Sequence, residues 1–363
     1  MATQAVSSSA ATQVRSCRYD APTREVDSMR RSILFLAASL MACPLSGAAA
    51  EPAGDGTADL GSYAARVEVH PFESLTLSDQ QFLTGSSEGA KPVTVTGVLR
   101  IAKSGTERLP TVILMHGSGG LSGNIEFWQR ALDARGFSTF AIDGFTGRGL
   151  TSVNTDQSLL ARTNLILDIY RALGVLAKHS RVDPARVAVM GFSRGGQAAL
   201  YASLKRFDAA WNRSGIMPAI YLPVYPDCSI RFRDDTAVAA RPIRMFGGSS
   251  DDYNPAATCS AYTERLKAAG VDVSLTVYPG AQHVFDNPVG PTKPVIAKGA
   301  QSVRACSLHE AAGGAIVQGP KDTPFTYADP CVQRDPHIGS DEAARVATLK
   351  SVSDALVEAF GAR

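Results

Sequence analysis

The spacing of apolar positions changes period repeatedly along the chain, and each change marks a new element. Val93 to Ile101 (VTVTGVLRI) alternates with period two and predicts a strand. Thr111 to Met115 (TVILM) is continuously apolar, as in a strand covered on both faces. Asn124 to Arg135 has a helical period and stops at Gly136; Ser138 to Ile142 is again strand-like and ends at Asp143-Gly144. Thr155 to His179 carries a long helical pattern, with Leu159, Leu160, Ile166, Ile169, Leu173 and Leu176 on related faces. Asp183-Pro184 opens a strand that runs through Val187 to Met190. Further strands are expected at Ala219 to Val224, Ile243 to Phe246 and Val273 to Tyr278, with a helix from Ala256 to Ala269 and a closing amphipathic helix from Asp341 to Phe360. Apolar strands alternating with helices predict an α/β fold with a mainly parallel central sheet. Right-handed crossovers put helices on both faces of such a sheet. The loops at its carboxyl edge then converge on one side, where ligands bind.

Two regions break this rhythm. Residues 51–90 are rich in Gly, Ser and Thr, with one alternating stretch from Arg66 to His70, and read as an N-terminal extension ahead of a domain at 91–363. Residues 287–338 are rich in Pro, Gly, Asp and Lys and read as an irregular insert. Residues 1–50 read as a leader. Met29-Arg30-Arg31 is a basic start, Ser32 to Ala42 an apolar run too short to span a bilayer, and Ala48-Ala49-Ala50 a small-residue cleavage site, so 29–50 has the form of a secretory signal peptide. The expected destination is secreted or periplasmic, without an integral span after cleavage. The alternative is a lipoprotein anchored through Cys43, from Leu40-Met41-Ala42-Cys43.

Export changes the meaning of the cysteines. Cys228, Cys259, Cys306 and Cys331 remain in the body, an even number for an oxidising compartment. Cys306 and Cys331 bracket much of the insert, while Cys228 and Cys259 both fall near the carboxyl edge of the sheet. The expected pairs are Cys228–Cys259 and Cys306–Cys331. There is no Cys-x-x-Cys or His-x-x-x-His spacing of the kind zinc sites use. The formal charge of +2 on 363 residues, without a long basic run, argues against a nucleic-acid partner. No phosphate, flavin or nicotinamide fingerprint is present, and no cofactor or metal is expected.

The chemistry is concentrated at Gly191-Phe192-Ser193-Arg194-Gly195, between an apolar strand and a helix-like run. That is the strand, sharp turn and helix of a nucleophile elbow, with glycines where a Cβ would crowd the turn. A serine hydroxyl needs a base to take its proton, and the base needs a carboxylate to orient it. Of the histidines after Ser193, only His283 follows a sheet strand; His309 and His337 fall in the insert. The strand Ile243 to Phe246 leads into Asp251-Asp252. Asp251 is favoured as the acid, with Asp252 left to cap the helix that starts near Pro255; Asp227 is a weaker candidate. Backbone N–H groups of Ser118, in the glycine-rich loop after Met115, and of Arg194 are expected to form an oxyanion hole. Arg148 is a candidate clamp for a substrate carboxylate, with a structural ion pair as the competing reading. Phe145 and Tyr253 are candidate pocket walls.

Five segments in this order, His116 to Gly120 (HGSGG), Asp143 to Gly149 (DGFTGRG), Gly191 to Gly196 (GFSRGG), Gly248 to Pro255 (GSSDDYNP) and Tyr278 to Asp286 (YPGAQHVFD), resemble the dienelactone-hydrolase-like branch of the α/β-hydrolase superfamily. The resemblance covers roughly residues 95–290. It implies Ser193 as nucleophile, Asp251 as acid and His283 as base. Dienelactone hydrolases proper use a cysteine nucleophile, and this chain has serine, as in the carboxylic ester hydrolases of the group. The expected activity is therefore hydrolysis of a small-molecule ester through an acyl-enzyme. The alternatives are a peptidase or amidase on the same fold, and a non-catalytic binding protein.

Overall fold

The computed structural model describes residues 64–361; the predicted leader, the signal peptide and Cys43 lie outside the described residues. Eight strands form the main sheet: β1 (Arg66–Thr76), β2 (Lys91–Ile101), β3 (Leu109–Met115), β4 (Ser138–Asp143), β5 (Val182–Phe192), β6 (Ile220–Val224), β7 (Ile243–Gly248) and β8 (Val273–Tyr278). Their spatial order is β1-β2-β4-β3-β5-β6-β7-β8. β1 and β2 pair antiparallel along their whole length, β2 is antiparallel to β4, and every later pairing is parallel. This is the α/β-hydrolase fold with a mainly parallel sheet. The run Arg66 to His70, read from the sequence as part of an extension, instead belongs to the edge strand β1. The sheet domain thus begins well before residue 91.

The apolar runs are buried because each parallel strand must be covered twice. Ile113, Met115, Val187 and Val189 face a core built with α1 (Asp79–Thr84), α3 (Asn164–Leu176), α5 (Lys205–Trp211) and α6 (Ala256–Ala268). Val112, Leu114, Ala188 and Met190, one residue out of phase, face a second core. There α2 (Gly123–Asp133) supplies Trp128 and Leu132, and the closing helix α7 (Glu342–Phe360) supplies Val352 and Leu356. Period-two alternation along β3 and β5 thus divides the side chains between the layers.

The helical pattern predicted over 155–179 is helical only from Asn164. Gln157–Leu159 is a single 3-10 turn, Leu159 is exposed and Leu160 is buried. The start is set from a distance: the Asp79 carboxylate accepts hydrogen bonds from the N–H (3.2 Å) and hydroxyl (2.9 Å) of Thr163.

The insert leaves the domain after Asp286 and the chain returns at α7. It contains short paired segments, Val295–Ile296 with His337–Ile338 and Gln301–Ser302 with Gln333–Arg334. A further hairpin strand, Leu308–Glu310, lies parallel to Ile230–Arg231. Disulfides join Cys306 to Cys331 within the insert and Cys228 to Cys259 beside the carboxyl edge of the sheet.

Candidate active site

Ser193 stands between β5 and α4 (Arg194–Tyr201) with φ 54° and ψ −116°, a conformation an L-residue adopts only under constraint. The constraint is the tightness of the turn. A Cβ on Gly191 would come within 2.0 Å of the Gly195 carbonyl oxygen, and one on Gly195 within 2.2 Å of that of Met115. The two glycines let strand and helix close together, and the serine between them is lifted off the end of the sheet.

Ser193 Oγ lies 2.9 Å from His283 Nε2, and His283 Nδ1 lies 2.7 Å from Asp251 Oδ2. All three are buried. With Nδ1–H donated to the carboxylate, Nε2 is left to accept the serine proton. The other Asp251 oxygen accepts from the backbone N–H groups of Tyr253 (2.9 Å) and Asn254 (2.8 Å), which fixes the carboxylate. Asp252 turns away from the histidine. It accepts from His337 at both the backbone N–H (2.7 Å) and Nδ1 (3.0 Å), and Arg304 pairs with it at 3.1 Å. The helix-capping role expected for it is not seen: α6 has no side-chain cap.

A cavity of about 130 Å³ opens over Ser193 and His283. Ser118 and Gly117 border it, and so do Tyr225, Tyr253 and, from the insert, Ala300 and Ile338. The glycine-rich loop after β3 is pinned from behind by His116. Its Nε2 accepts from the Gly144 N–H (3.1 Å) and its Nδ1 donates to the Gly117 carbonyl (2.8 Å). Burial pushes the His116 pKa down, so the ring is neutral, as an Nε2 acceptor requires.

The expected pocket residues divide. Tyr253 lies at the cavity, its ring centroid 4.6 Å from that of His283. Phe145 does not. It is buried behind the site, edge-on to His116 at 4.4 Å. Nor is Arg148 a substrate clamp. Its side chain is buried in a bidentate pair with Asp168 (2.7 and 3.0 Å), and its remaining N–H groups reach Gly144 O, Leu75 O and the Thr76 hydroxyl. No donor is left to point at a ligand. The Arg194 side chain also turns inward, to Gln157 Oε1 (3.0 Å) and the Leu160 carbonyl, so only its backbone is on the Ser193 side. Burial, with the Arg162 guanidinium nearby, brings its pKa down to about 10.

Sequence reasoning missed Tyr225 and Asp286. The Tyr225 ring meets His283 edge-on at 4.7 Å, and its hydroxyl donates to Asp286 (2.6 Å). Trp128 Nε1 donates to the other Asp286 oxygen (2.7 Å). Asp286 is fully buried, and desolvation raises its pKa despite these donors. Between His283 and Asp286, Val284 is held at φ 58°, strained for a β-branched residue. The network anchors the loop that carries the histidine. Its only signal in the sequence is Asp286 itself, three residues after His283.

Among curated proteins, a probable 2-oxo-3-(5-oxofuran-2-ylidene)propanoate lactonase of Bradyrhizobium is 25% identical over 187 residues, half of this chain and 75% of that protein. A putative carboxymethylenebutenolidase of Yersinia pestis is 25% identical over 191 residues, 49% of this chain and 68% of its own. A solved dienelactone hydrolase-like promiscuous phosphotriesterase from metagenomic libraries has the same fold, with a TM-score of 0.50 and 16% identity over 81% of this chain and 99% of that one. Residues 96–311 match the dienelactone hydrolase family, and the chain accordingly belongs to that family, a group of hydrolases within the α/β-hydrolase superfamily.

Proposed function

We propose that this chain is a serine hydrolase that cleaves a carboxylic ester by acyl transfer, with Ser193 as nucleophile, His283 as general base and Asp251 as its orienting acid. The observation that carries this reading is the continuous path from Ser193 Oγ to His283 Nε2 and from His283 Nδ1 to Asp251, at the floor of a cavity. Ser193 attacks the ester carbonyl while His283 takes its proton. The backbone N–H groups of Ser118 and Arg194 receive the oxyanion. His283 then gives the proton to the leaving alcohol and takes one from the water that releases the acid. The lactones in the names of both relatives are cyclic esters, which open by the same steps.

Two further expectations belong with this reading. The paired cysteines and the signal-like leader favour a secreted or periplasmic location, and no helix among the described residues is long and apolar enough to cross a membrane. The catalytic domain extends from β1 to α7, and the insert is part of it.

Turnover of p-nitrophenyl acetate by single and double variants tests the assignment. Ser193→Ala and His283→Ala each lower kcat roughly 10⁴-fold or more with the fold intact, and the double variant is little worse than either, because the residues act as one unit. Retention of more than about a tenth of the activity by Ser193→Ala would remove it as nucleophile.

A further inference from the structure

Three walls of the cavity come from the insert: Ala297, Ala300 and Ile338. They are fixed against the catalytic loops. Ile338 forms a parallel bridge with His283, and the next N–H, of Gly339, donates to the His283 carbonyl at 3.0 Å. His337, just before it, is held by Asp252, the neighbour of the catalytic acid. On the other side, Gln301 accepts two hydrogen bonds from Gln157, at 2.8 and 3.1 Å, and Gln157 also holds Arg194. The Ser302 hydroxyl donates to the Tyr253 carbonyl at 2.7 Å. The insert is thus bonded to the segments that carry the acid, the base and the residue after the nucleophile.

The space left is small and carries no fixed charge. A dry cavity of roughly 150 Å³ holds one benzene, and this one is about 130 Å³. Among the described residues that line it, none is Lys, Arg, Asp or Glu. A carboxylate placed there would exchange part of its water for neutral groups such as Asn124, Asn154 and the Ser122 hydroxyl without gaining a cation, which is unfavourable. Arg148, the one arginine whose position in the sequence pointed to a clamp, is locked to Asp168.

We infer that the insert makes this a hydrolase of uncharged esters with a short acyl group, Ile338 and Ala300 being the residues that set the length. The inference rests on the serine-esterase reading above and deepens it. Acetyl to butyryl groups fit the space. Longer chains meet Ile338, and carboxylate-bearing acyl groups find no partner.

The test compares kcat/KM on two ester series, using the full chain with its disulfides intact. On p-nitrophenyl acetate, butyrate and octanoate, the wild type favours the two short esters over octanoate by about 100-fold, the scale of lost fit in a small pocket. With methyl butyrate and monomethyl succinate, followed by acid release, the charged ester is slower by about 100-fold or more, as an unpaired buried carboxylate requires. Ile338→Ala raises the octanoate-to-acetate ratio about tenfold, and Ala300→Val, which removes space, lowers the butyrate-to-acetate ratio. Octanoate or monomethyl succinate turned over as well as its short neutral counterpart would overturn the inference while leaving the triad standing. Unchanged ratios in both variants would overturn the assignment of Ile338 and Ala300. Failure to turn over any ester would overturn the esterase reading, and this inference with it.

Discussion

Asp251 and Asp252 are chemically identical neighbours with opposite surroundings. One carboxylate meets a buried imidazole and two backbone N–H groups; the other reaches out to His337 and Arg304. Asp251→Asn therefore lowers kcat on p-nitrophenyl acetate by about 10³ to 10⁴-fold, because the amide can hold the wrong tautomer. Asp252→Asn costs at least about 100-fold less, since it acts only on the placement of the insert. Steady-state kinetics of the two variants distinguishes them, and equal losses would contradict the division. Their pH dependence follows from the same surroundings. Burial by itself raises the Asp252 pKa, but the hydrogen bonds from His337 and the charge of Arg304 outweigh it and hold it below the ordinary 3.8. A depressed pKa in the folded state stabilises above the unfolded value, and that stability is lost as pH falls through the folded one. The gap in urea midpoint between wild type and Asp252→Asn, present at neutral pH, should therefore close as the pH drops below 3.8. A gap that widened in acid would have the sign wrong.

At the scale of elements, the Cys306–Cys331 link closes a loop with a sequence separation of 25 in a segment whose own pairings are only two or three residues long. Replacing both cysteines by serine should cost about 3 kcal/mol in the chain-entropy model. The loss should appear first as proteolytic cleavage between residues 306 and 331, with the sheet still folded. Uniform loss of protection across the domain would mean the insert does not open separately. Elements set by local pattern were legible in advance. Val273–Tyr278 agrees with its predicted limits, and Leu109–Met115 and Gly123–Asp133 lie within two residues of theirs at each end. What failed depends on partners far off in sequence. Nothing near Leu159 marks the helix start, because the group that sets it is Asp79. Nothing near Arg148 names Asp168 or the carbonyls that take up its donors. The sharp turn at Ser193 and the place of His283 just beyond a strand were readable because a turn and a strand end are local features. The cavity wall was not, because Ile338 reaches the site only through pairing with Val295 and bridging to His283.

Across the whole molecule, the parallel sheet gathers Ser193, Asp251 and His283 from beyond the ends of β5, β7 and β8. One of the two cores that flank it depends on the closing helix α7, which lies beyond the insert in sequence yet packs with Trp128 and Leu222. The chain must therefore come back. The return is tight: the Ser340 N–H donates to the Pro291 carbonyl at 2.7 Å, and the Asp341 N–H donates to that of Phe285 at 2.9 Å. Entry and exit of the excursion touch, as the two ends of a drawer meet the same frame. A segment joined to its host at such a neck can lengthen, shrink or be exchanged over evolutionary time while α7 and the reacting atoms keep their places. The groups proposed to break the bond and the wall proposed to select what they break thus lie on separable stretches of one polypeptide.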